Sequence, residues 1–318
     1  MINIQTVLIR EQIIKSIRDF FCSQNFQEIT IPALNRSIPL EPNLYPFTTA
    51  WKTRKEIQTL YLSTSPERRL KQLISLGVGN CFGIGSSFRN LENSGTFHSP
   101  EFLMLEWYRK SATYIDIMKD TRDLILYIRN SLTENNKLNI TYSKNWEKIS
   151  LTSLFSDYLQ TDLNKIIENN DTLFKIAKKK GYNTKNTTWN ELYDQLFVNE
   201  IESHLPKEPF FLIDFPSCIS PLCKPKGENK NLAERFELYI NGIEIANGNT
   251  EYTDTKVVKT NFVREQKKRA VNQPIDYEFL NSLKIMNDVS YAGIGLGVDR
   301  LTMLFTGSKS IDELGALM

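Results

Sequence analysis

The chain has 318 residues, of which 41% are hydrophobic and 24% charged, so it can bury a sizeable core and lies near the upper size of a single domain. Its 39 lysines and arginines against 37 aspartates and glutamates leave a formal net charge of +2, which excludes an overall basic field that would demand a nucleic-acid partner. The four cysteines and two histidines fit no zinc spacing.

The first predicted element is a helix, and its apolar stripe consists of Ile13, Ile14, Ile17, Phe20 and Phe21. Charged residues interrupt this stretch, which is typical of neither a signal sequence nor a membrane span, so we expect a cytoplasmic protein without membrane association. The next segment, FQEITIPAL, alternates as a strand that a proline ends.

Residues 36–58 are predicted to form a loop and a hairpin, and residues 59–77 a strand that runs into a helix ended by Gly77. From about 143 to 207 the sequence becomes helical and more polar, which we interpret as a helical insert in a single domain spanning 1–318. Strands return in PFFLIDFP, in the hairpin RFELYINGIEIANG and in GIGLGVDRL, which leads into a helix. Hairpins with few strand–helix–strand crossovers predict an α+β fold with an antiparallel sheet flanked by helices.

The segment EFLMLEWYR carries a glutamate inside an apolar run. As a strand it places Phe102, Met104, Glu106 and Tyr108 on one face, because side chains alternate with a period of two. A carboxylate is costly to bury unless a cation meets it. Glu106 is therefore either part of an internal salt bridge with an arginine or a binding group for a ligand with a flat ring at one end and an ammonium group at the other.

The hairpin carries further carboxylates. Its Asn-Gly turn would pair Tyr239 with Glu244 and Glu237 with Ala246, and Glu251 follows in the next loop. Acidic side chains beside a turn are usually solvated, but two of them near a phosphate site could hold magnesium.

Alternating glycines at 293, 295 and 297 leave one strand face without side chains, so that a planar or bulky group could lie against the backbone. Arg300 opens the following helix, where an arginine can contact a phosphate. Such glycines can equally relieve crowding in the core. The pattern is neither G-x-G-x-x-G nor a Walker loop, which argues against Rossmann and P-loop folds.

Together these motifs carry a family resemblance that covers nearly the whole chain. The stretch SFRN to FHSPEFLMLEWY resembles motif 2 of class II aminoacyl-tRNA synthetases, GLGVDRL resembles motif 3, and the N-terminal helix and strand are similar to motif 1. TSPE and ERFELYINGIEIANG are similar to lysyl-tRNA synthetases and to the elongation factor P (R)-β-lysine ligase family. The motif 1 helix begins within the first dozen residues, so we expect no anticodon-binding domain, and the chain resembles the ligase family more.

The resemblance implies the site residues, with Arg89 and Arg300 as the catalytic arginines on the phosphates of ATP. The implied ATP-binding residues are Arg89, Asn90, Leu91, Glu92, His98, Ser99, Phe102, Glu244, Ile245, Gly297 and Arg300. The implied amino-acid-binding residues are Ser65, Pro66, Glu67, Glu106, Tyr108, Asn247, Glu251 and Gly295. Magnesium would be held by Glu244 and Glu251.

The resemblance further implies adenylation of lysine or (R)-β-lysine, transfer to a lysine of elongation factor P, and a homodimer formed through the motif 1 helix, whose apolar stripe would otherwise face water. Charging of tRNA is not expected. Three positions depart from the family pattern: Leu91 replaces a glutamate, Ser99 replaces an asparagine, and Gly295 stands where the β-lysine ligases typically have alanine. Two alternatives stay open, namely a free-standing lysyl-tRNA synthetase paralogue that makes an adenylate for tRNA or a small molecule, and a non-catalytic paralogue that binds amino acid.

Overall fold

The computed structural model describes residues 3–91, 95–132, 146–269 and 273–314. The chain packs as two compact units, the first formed by residues 1–139 and 250–318 and the second by residues 140–249. Elements are numbered here in chain order through both units. Within the described residues, no helix combines the length and the apolar character needed to cross a membrane.

The first unit is built on four strands in the order β1, β5, β6 and β11. Their bounds are β1 Gln27–Glu28, β5 Cys81–Phe88, β6 Glu101–Lys110 and β11 Tyr291–Gly297. Strand β1 runs parallel to β5, and the other two pairings are antiparallel. Three shorter strands form a separate antiparallel sheet in the order β2, β4, β3, with bounds Leu34–Asn35, Ile57–Leu62 and Thr48–Lys52.

Six helices of the first unit lie in the described residues. They are α1 Ile4–Ser23, α2 Glu67–Ser75, α3 Tyr114–Ser131, α8 Thr255–Lys268, α9 Tyr277–Met286 and α10 Val298–Thr306. Helix α1 packs against α3 and α10, and α2 packs against α9. The predicted stripe of α1 is buried inside this unit, with each member at most 7% exposed, so it does not face water as expected. The exposed apolar residues of α1 are Ile4 and Leu8, at 69% and 51%.

The second unit contains strands β7 Glu147–Ser150, β8 Phe210–Ile213, β9 Arg235–Ile240 and β10 Ile243–Thr250, in the sheet order β10, β9, β8, β7. Its helices are α4 Leu151–Leu159, α5 Leu163–Glu168, α6 Asn170–Lys179 and α7 Trp189–Glu200. They share an apolar core with the strands. The segment predicted as a helical insert thus also contributes β7, which pairs parallel with β8. Residues 143–145 of that segment lie outside the described residues, and the single-domain organisation stays a prediction.

Two local expectations need correction. The segment FQEITIPAL does not form one continuous strand: it pairs with β5 only at Gln27–Glu28, and its last residue, Leu34, pairs with Leu62 as part of β2. Between these two pairings the side chain of Ile31 lies against Gly83 and Gly85 of β5. In the hairpin, Tyr239 does pair with Glu244, but Glu237 pairs with Asn247 and not with Ala246. The reason is an irregularity between residues 244 and 246, which shifts the register by one residue.

Candidate active site

Strand β6 carries the central carboxylate of the site on the predicted face. Glu106 is 5% exposed and lies between Gly83 of β5 and Gly295 of β11, its direct partners in the two antiparallel ladders. Because cross-strand partners share a face, glycine on both sides leaves the Glu106 side chain without a flanking side chain from either partner. The carboxylate of Glu106 therefore extends from a part of the sheet where its two ladder partners contribute no side chains.

The glycines in this part of the sheet have different neighbours. A β-carbon at Gly83 would approach Cδ1 of Ile31 to 2.6 Å, and one at Gly293 would collide with the ring of Tyr108. The expectation of a strand face without side chains is thus wrong at Gly293, because the ring of Tyr108 covers it. Gly295 is different, because a β-carbon there would lie 3.5 Å from Sδ of Met104, an ordinary contact distance. A β-carbon would therefore fit at position 295 without a collision.

Helix α2 contributes the carboxylate of Glu67, which was predicted, and a lysine, Lys71, which was not. Lys71 is completely buried, and its Nζ lies 2.6 Å from Oε1 of Glu67 and 2.5 Å from Oε2 of Glu251. The backbone N–H of Glu251 donates to the carbonyl of Tyr291 at 2.9 Å, which fixes this residue beside β11. Glu67 and Lys71 are four residues apart on one helix, and this spacing was the available sequence signal for their pairing.

Burial and mutual repulsion perturb the acidic groups. Burial raises the pKa of Glu106 well above its ordinary value, and the charge of Glu67 raises it further. The hydroxyl of Tyr108 donates to Oε2 of Glu106 at 3.3 Å, and Ser65 contributes a side-chain hydrogen bond to the same carboxylate. Burial and then Glu106 raise the pKa of Tyr108. Burial alone would lower the pKa of Lys71, but its two carboxylate partners outweigh burial and raise it.

A fourth carboxylate, Glu41, was also missed by the sequence analysis. Burial, followed by the charge of Glu67, raises the pKa of Glu41 from 4.5 to about 8, although Arg89 and Lys71 act in the opposite direction. Its backbone carbonyl accepts a hydrogen bond from Nη2 of Arg269 at 2.6 Å. Glu41 lies in an irregular loop, so no hydrophobic period or motif pointed to it.

Several of the residues expected to bind ATP lie near the start of β6. The guanidinium of Arg89 lies 5.1 Å from the centre of the Phe102 ring. Nη2 of Arg300 lies 3.0 Å from Nε2 of His98, and Nε of Arg300 donates to the carbonyl of Phe97 at 3.3 Å. The structure thus brings together two pairs of predicted residues, each with one arginine.

The rest of the motif 2 loop is partly described. The backbone N–H of Asn90 donates to the carbonyl of Tyr45 at 2.7 Å. Leu91 is 75% exposed and has a φ of 60°, which is strained for a bulky side chain. Ser99 follows in the loop before β6, and Glu92 lies outside the described residues.

A buried carboxylate beside Arg300 links three motifs. Asp299 accepts a hydrogen bond from Nε of Arg10 on α1 at 2.8 Å and another from the backbone N–H of Leu103 at 2.6 Å. It therefore connects the motif 1 helix, strand β6 and the start of α10, where Gly297 and Arg300 lie. No role for this aspartate was predicted from the sequence.

Of the remaining predicted residues, Pro66 directly precedes α2, whereas Glu244, Ile245 and Asn247 lie on β10 of the second unit. There Nε of Arg235 donates to Oδ1 of Asn247 at 3.2 Å, and Nη2 of the same arginine lies 2.6 Å from Oε1 of Glu237. Burial and then Glu244 raise the pKa of Glu237 to about 7, against the effect of Arg235. Arg235 thus orients the side-chain amide of Asn247, one of the predicted site residues.

The part of the chain that the structure describes contains no group of three or more histidine, cysteine, aspartate or glutamate residues arranged to hold a metal ion. Magnesium does not require such a group, since it keeps several waters and is commonly bound by one or two carboxylates together with substrate phosphates. Glu244 and Glu251 each carry a carboxylate, of which that of Glu251 contacts Lys71, and their role as magnesium ligands stays a prediction.

A mainly antiparallel sheet flanked by helices carries an acidic pocket at the middle of β6, and two arginines, one beside Phe102 and one beside His98, lie near the start of that strand. These features define a catalytic domain of the class II aminoacyl-tRNA synthetase type. The family model described as tRNA synthetases class II (D, K and N) matches residues 3–317. The chain belongs to this family.

Similar proteins carry two kinds of name. The chain is 34% identical to a lysine–tRNA ligase of Wigglesworthia glossinidia brevipalpis over 96% of its own length and 62% of that protein. It is 32% identical to an elongation factor P–(R)-β-lysine ligase of Baumannia cicadellinicola subsp. Homalodisca coagulata, over 99% of this chain and 95% of the relative. A ligase of the same name from Salmonella typhi is 34% identical over 98% and 94%.

Proposed function

We propose that this protein is an ATP-dependent ligase that activates lysine or (R)-β-lysine as an adenylate and transfers it to a lysine of elongation factor P. The observation that carries the proposal is the acidic pocket, in which four carboxylates surround the buried Lys71. These carboxylates belong to Glu41, Glu67, Glu106 and Glu251. Glu106 and Glu251 are buried, and such an excess of acidic groups in one pocket is complementary to an amino acid with a second ammonium group.

Elongation factor P is proposed as the acceptor because several relatives named for that reaction match this chain over 94–95% of their own length. The lysine–tRNA ligase extends further, since this chain spans 62% of it. Its 34% identity supports a second candidate function, the formation of lysyl-adenylate for tRNA.

The chemistry asks little of general acid–base catalysis. The substrate carboxylate attacks the α-phosphorus of ATP in line, a bond to phosphorus forms, and pyrophosphate leaves with the electrons of the broken bond. Arg89, beside the Phe102 ring, would neutralise the α-phosphate, and Arg300 with His98 would hold the leaving phosphates. The pocket would fix the ammonium end so that the reacting carboxylate is positioned for attack.

Magnesium is proposed as the metal, with Glu244 and Glu251 as its protein ligands. When bound, it would neutralise charge on the phosphates of ATP. We also propose a homodimer that forms around the exposed apolar pair on α1, Ile4 and Leu8, which are one helical turn apart.

The test has two parts. Pyrophosphate exchange into ATP should depend on lysine or (R)-β-lysine and should be absent with norleucine, which lacks the second ammonium group. Purified elongation factor P should then gain the mass of one lysyl residue, whereas lysine tRNA should not be charged. If none of the amino acids supports exchange, the proposed ligase activity is contradicted. Charging of tRNA without modification of elongation factor P would favour the second candidate.

A further inference from the structure

Lys71 is a buried cation inside the acidic pocket. Its side chain is completely inaccessible to solvent, and its ammonium group contacts both Glu67 and Glu251. The rings of Tyr108 and Phe279 lie 5.6 and 5.4 Å from the same nitrogen. Lys71 is therefore held on several sides.

The two contacts fix the carboxylates as well. Both carboxylate oxygens lie within 2.6 Å of one nitrogen, so they are close neighbours that would repel each other without it. The glutamates come from different parts of the chain, since Glu67 begins α2 and Glu251 follows β10. The ammonium group is thus a bridge that joins two walls of the pocket.

Glu106 is left outside this bridge. In the described part of the chain its side chain forms no ion pair with a lysine or arginine, and its hydrogen-bond partners are the uncharged hydroxyl of Tyr108, at 3.3 Å, and the side chain of Ser65. Lys71 therefore separates two acidic residues that share one protein cation, Glu67 and Glu251, from the carboxylate of Glu106, which is available to a ligand cation. A ligand with an ammonium group at that end would reduce the remaining excess of negative charge.

We propose that Lys71 is a positioning residue that sets the specificity of the amino-acid pocket. It holds Glu67 and Glu251 in place and reserves Glu106 for the side-chain ammonium of the substrate. The substrate part of this inference rests on the proposed function, whereas the bridge itself is a property of the folded protein that can be tested without substrate.

The first experiment is a thermal unfolding cycle on the full chain. Lys71→Met keeps the length of the side chain and leaves two facing carboxylates uncompensated, so Tm should fall by about 5 °C or more. The double variant Lys71→Met/Glu67→Gln should regain most of that loss, because the introduced amide can donate to Glu251. Lys180→Met is the matched control, since Lys180 forms an equally short 2.6 Å pair with Glu200 but is 32% exposed. Its Tm should stay within about 1 °C of the wild type.

The second experiment separates positioning from stability. In pyrophosphate exchange, Lys71→Met should raise KM for lysine at least about tenfold while kcat changes much less, because two pocket carboxylates lose their orientation. Lys71→Arg, which keeps the charge, should recover part of the affinity. This rescue is the readout that a space-filling role would not produce.

The inference is overturned if the double variant is no more stable than Lys71→Met, or if Lys71→Met keeps the wild-type Tm and KM. If Lys71→Met does not fold, the double variant and Lys71→Arg test the inference instead. A double variant that also fails to fold would contradict the role of Lys71 as a charge bridge. Absence of exchange in the wild-type protein would contradict the proposed function and leave the unfolding cycle valid. The two failures are therefore distinguishable.

Discussion

Glu106 and Gly295 face each other across the ladder between β6 and β11, and a β-carbon built at Gly295 would lie 3.6 Å from Oε1 of Glu106. This is an ordinary van der Waals distance, so the glycine is not required by packing. The hydrogen atom at this position instead leaves space directly beside the carboxylate. Gly295 is therefore suited to control which substrate atoms fit next to Glu106.

Gly295→Ala should change substrate use without harming the fold. The added methyl group fills space beside the carboxylate of Glu106, where the substrate would bind, so we expect kcat/KM for lysine to fall about tenfold, the order of one methyl group in a pocket. Discrimination in favour of (R)-β-lysine should increase. Tm should stay the same or rise, since alanine restricts the unfolded chain more than glycine. Pyrophosphate exchange with both amino acids and a thermal melt measure these changes.

Gly293→Ala is the contrasting variant two residues away. Its β-carbon would collide with the ring of Tyr108, so we expect a loss of stability of about 1–3 kcal/mol and a displaced tyrosine. Equal effects of Gly293→Ala and Gly295→Ala on stability would contradict the conclusion that a β-carbon fits at position 295 but collides at position 293.

Arg300→Ala should abolish activity without unfolding the protein. Arg300 is partly exposed, and its contacts with His98 and the carbonyl of Phe97 are to the motif 2 loop, so Tm should move by no more than about 2 °C. Exchange should fall at least about a hundredfold, because a positioned cation on the phosphates is lost. Arg264→Ala, at an exposed site of α8, is the control. An unfolded Arg300 variant would show that the arginine is structural.

Glu41 should make stability depend on pH. Its pKa is about 8 in the folded protein against 4.5 ordinarily, so between these values the folded state holds a proton that the unfolded state releases. Stability attributable to this group is thus greatest at low pH and is lost as pH rises toward 8. Glu41→Gln should match the wild type near pH 4.5 and become more stable by about 3–6 °C above pH 8.

Thermal melts from about pH 4.5 to 9 measure this difference. Glu208→Gln, at an exposed position of the second unit, should run parallel to the wild type throughout. A constant difference between Glu41→Gln and the wild type over this range would show that Glu41 does not titrate there.

The homodimer can be tested by mass. Light scattering at micromolar concentration should give twice the 36.8 kDa mass of the chain. Leu8→Glu, which places a charge on the exposed apolar pair of α1, should shift the equilibrium toward monomer. Tyr277→Glu on α9 is a control, because Tyr277 is also an exposed apolar residue, at 62%. A monomeric wild type would contradict the proposed dimer.

Regular patterns made much of the fold predictable. The alternation around Glu106, the Asn-Gly turn and the glycine strand leading into a helix all predicted elements that the structure contains. The irregularity in the hairpin was not predictable, because one additional residue in a ladder leaves the hydrophobic alternation on either side nearly intact. The inward direction of the α1 stripe also depended on tertiary packing, which a periodic pattern does not specify.

The candidate site was predictable where its residues belong to contiguous motifs, as with Arg89 and Arg300. Lys71 and Glu41 were missed for a different reason. A lysine one turn after a glutamate usually forms an exposed pair with it on the helix surface, and only the fold shows that Lys71 is buried and that Glu251, which follows β10, contacts it. Glu41 lies in a loop and acquires its perturbed pKa from residues distant in sequence.

The most direct test of the account is pyrophosphate exchange by Glu106→Gln compared with Glu101→Gln. Both glutamates lie on β6, but they point to opposite faces of the strand. Loss of a charge-assisted hydrogen bond costs about 1.5–3 kcal/mol, so Glu106→Gln should use lysine or (R)-β-lysine at least about tenfold less well while still binding ATP. Glu101→Gln should retain wild-type exchange. Unchanged exchange by Glu106→Gln would contradict the central claim that this carboxylate binds the ammonium group of the substrate.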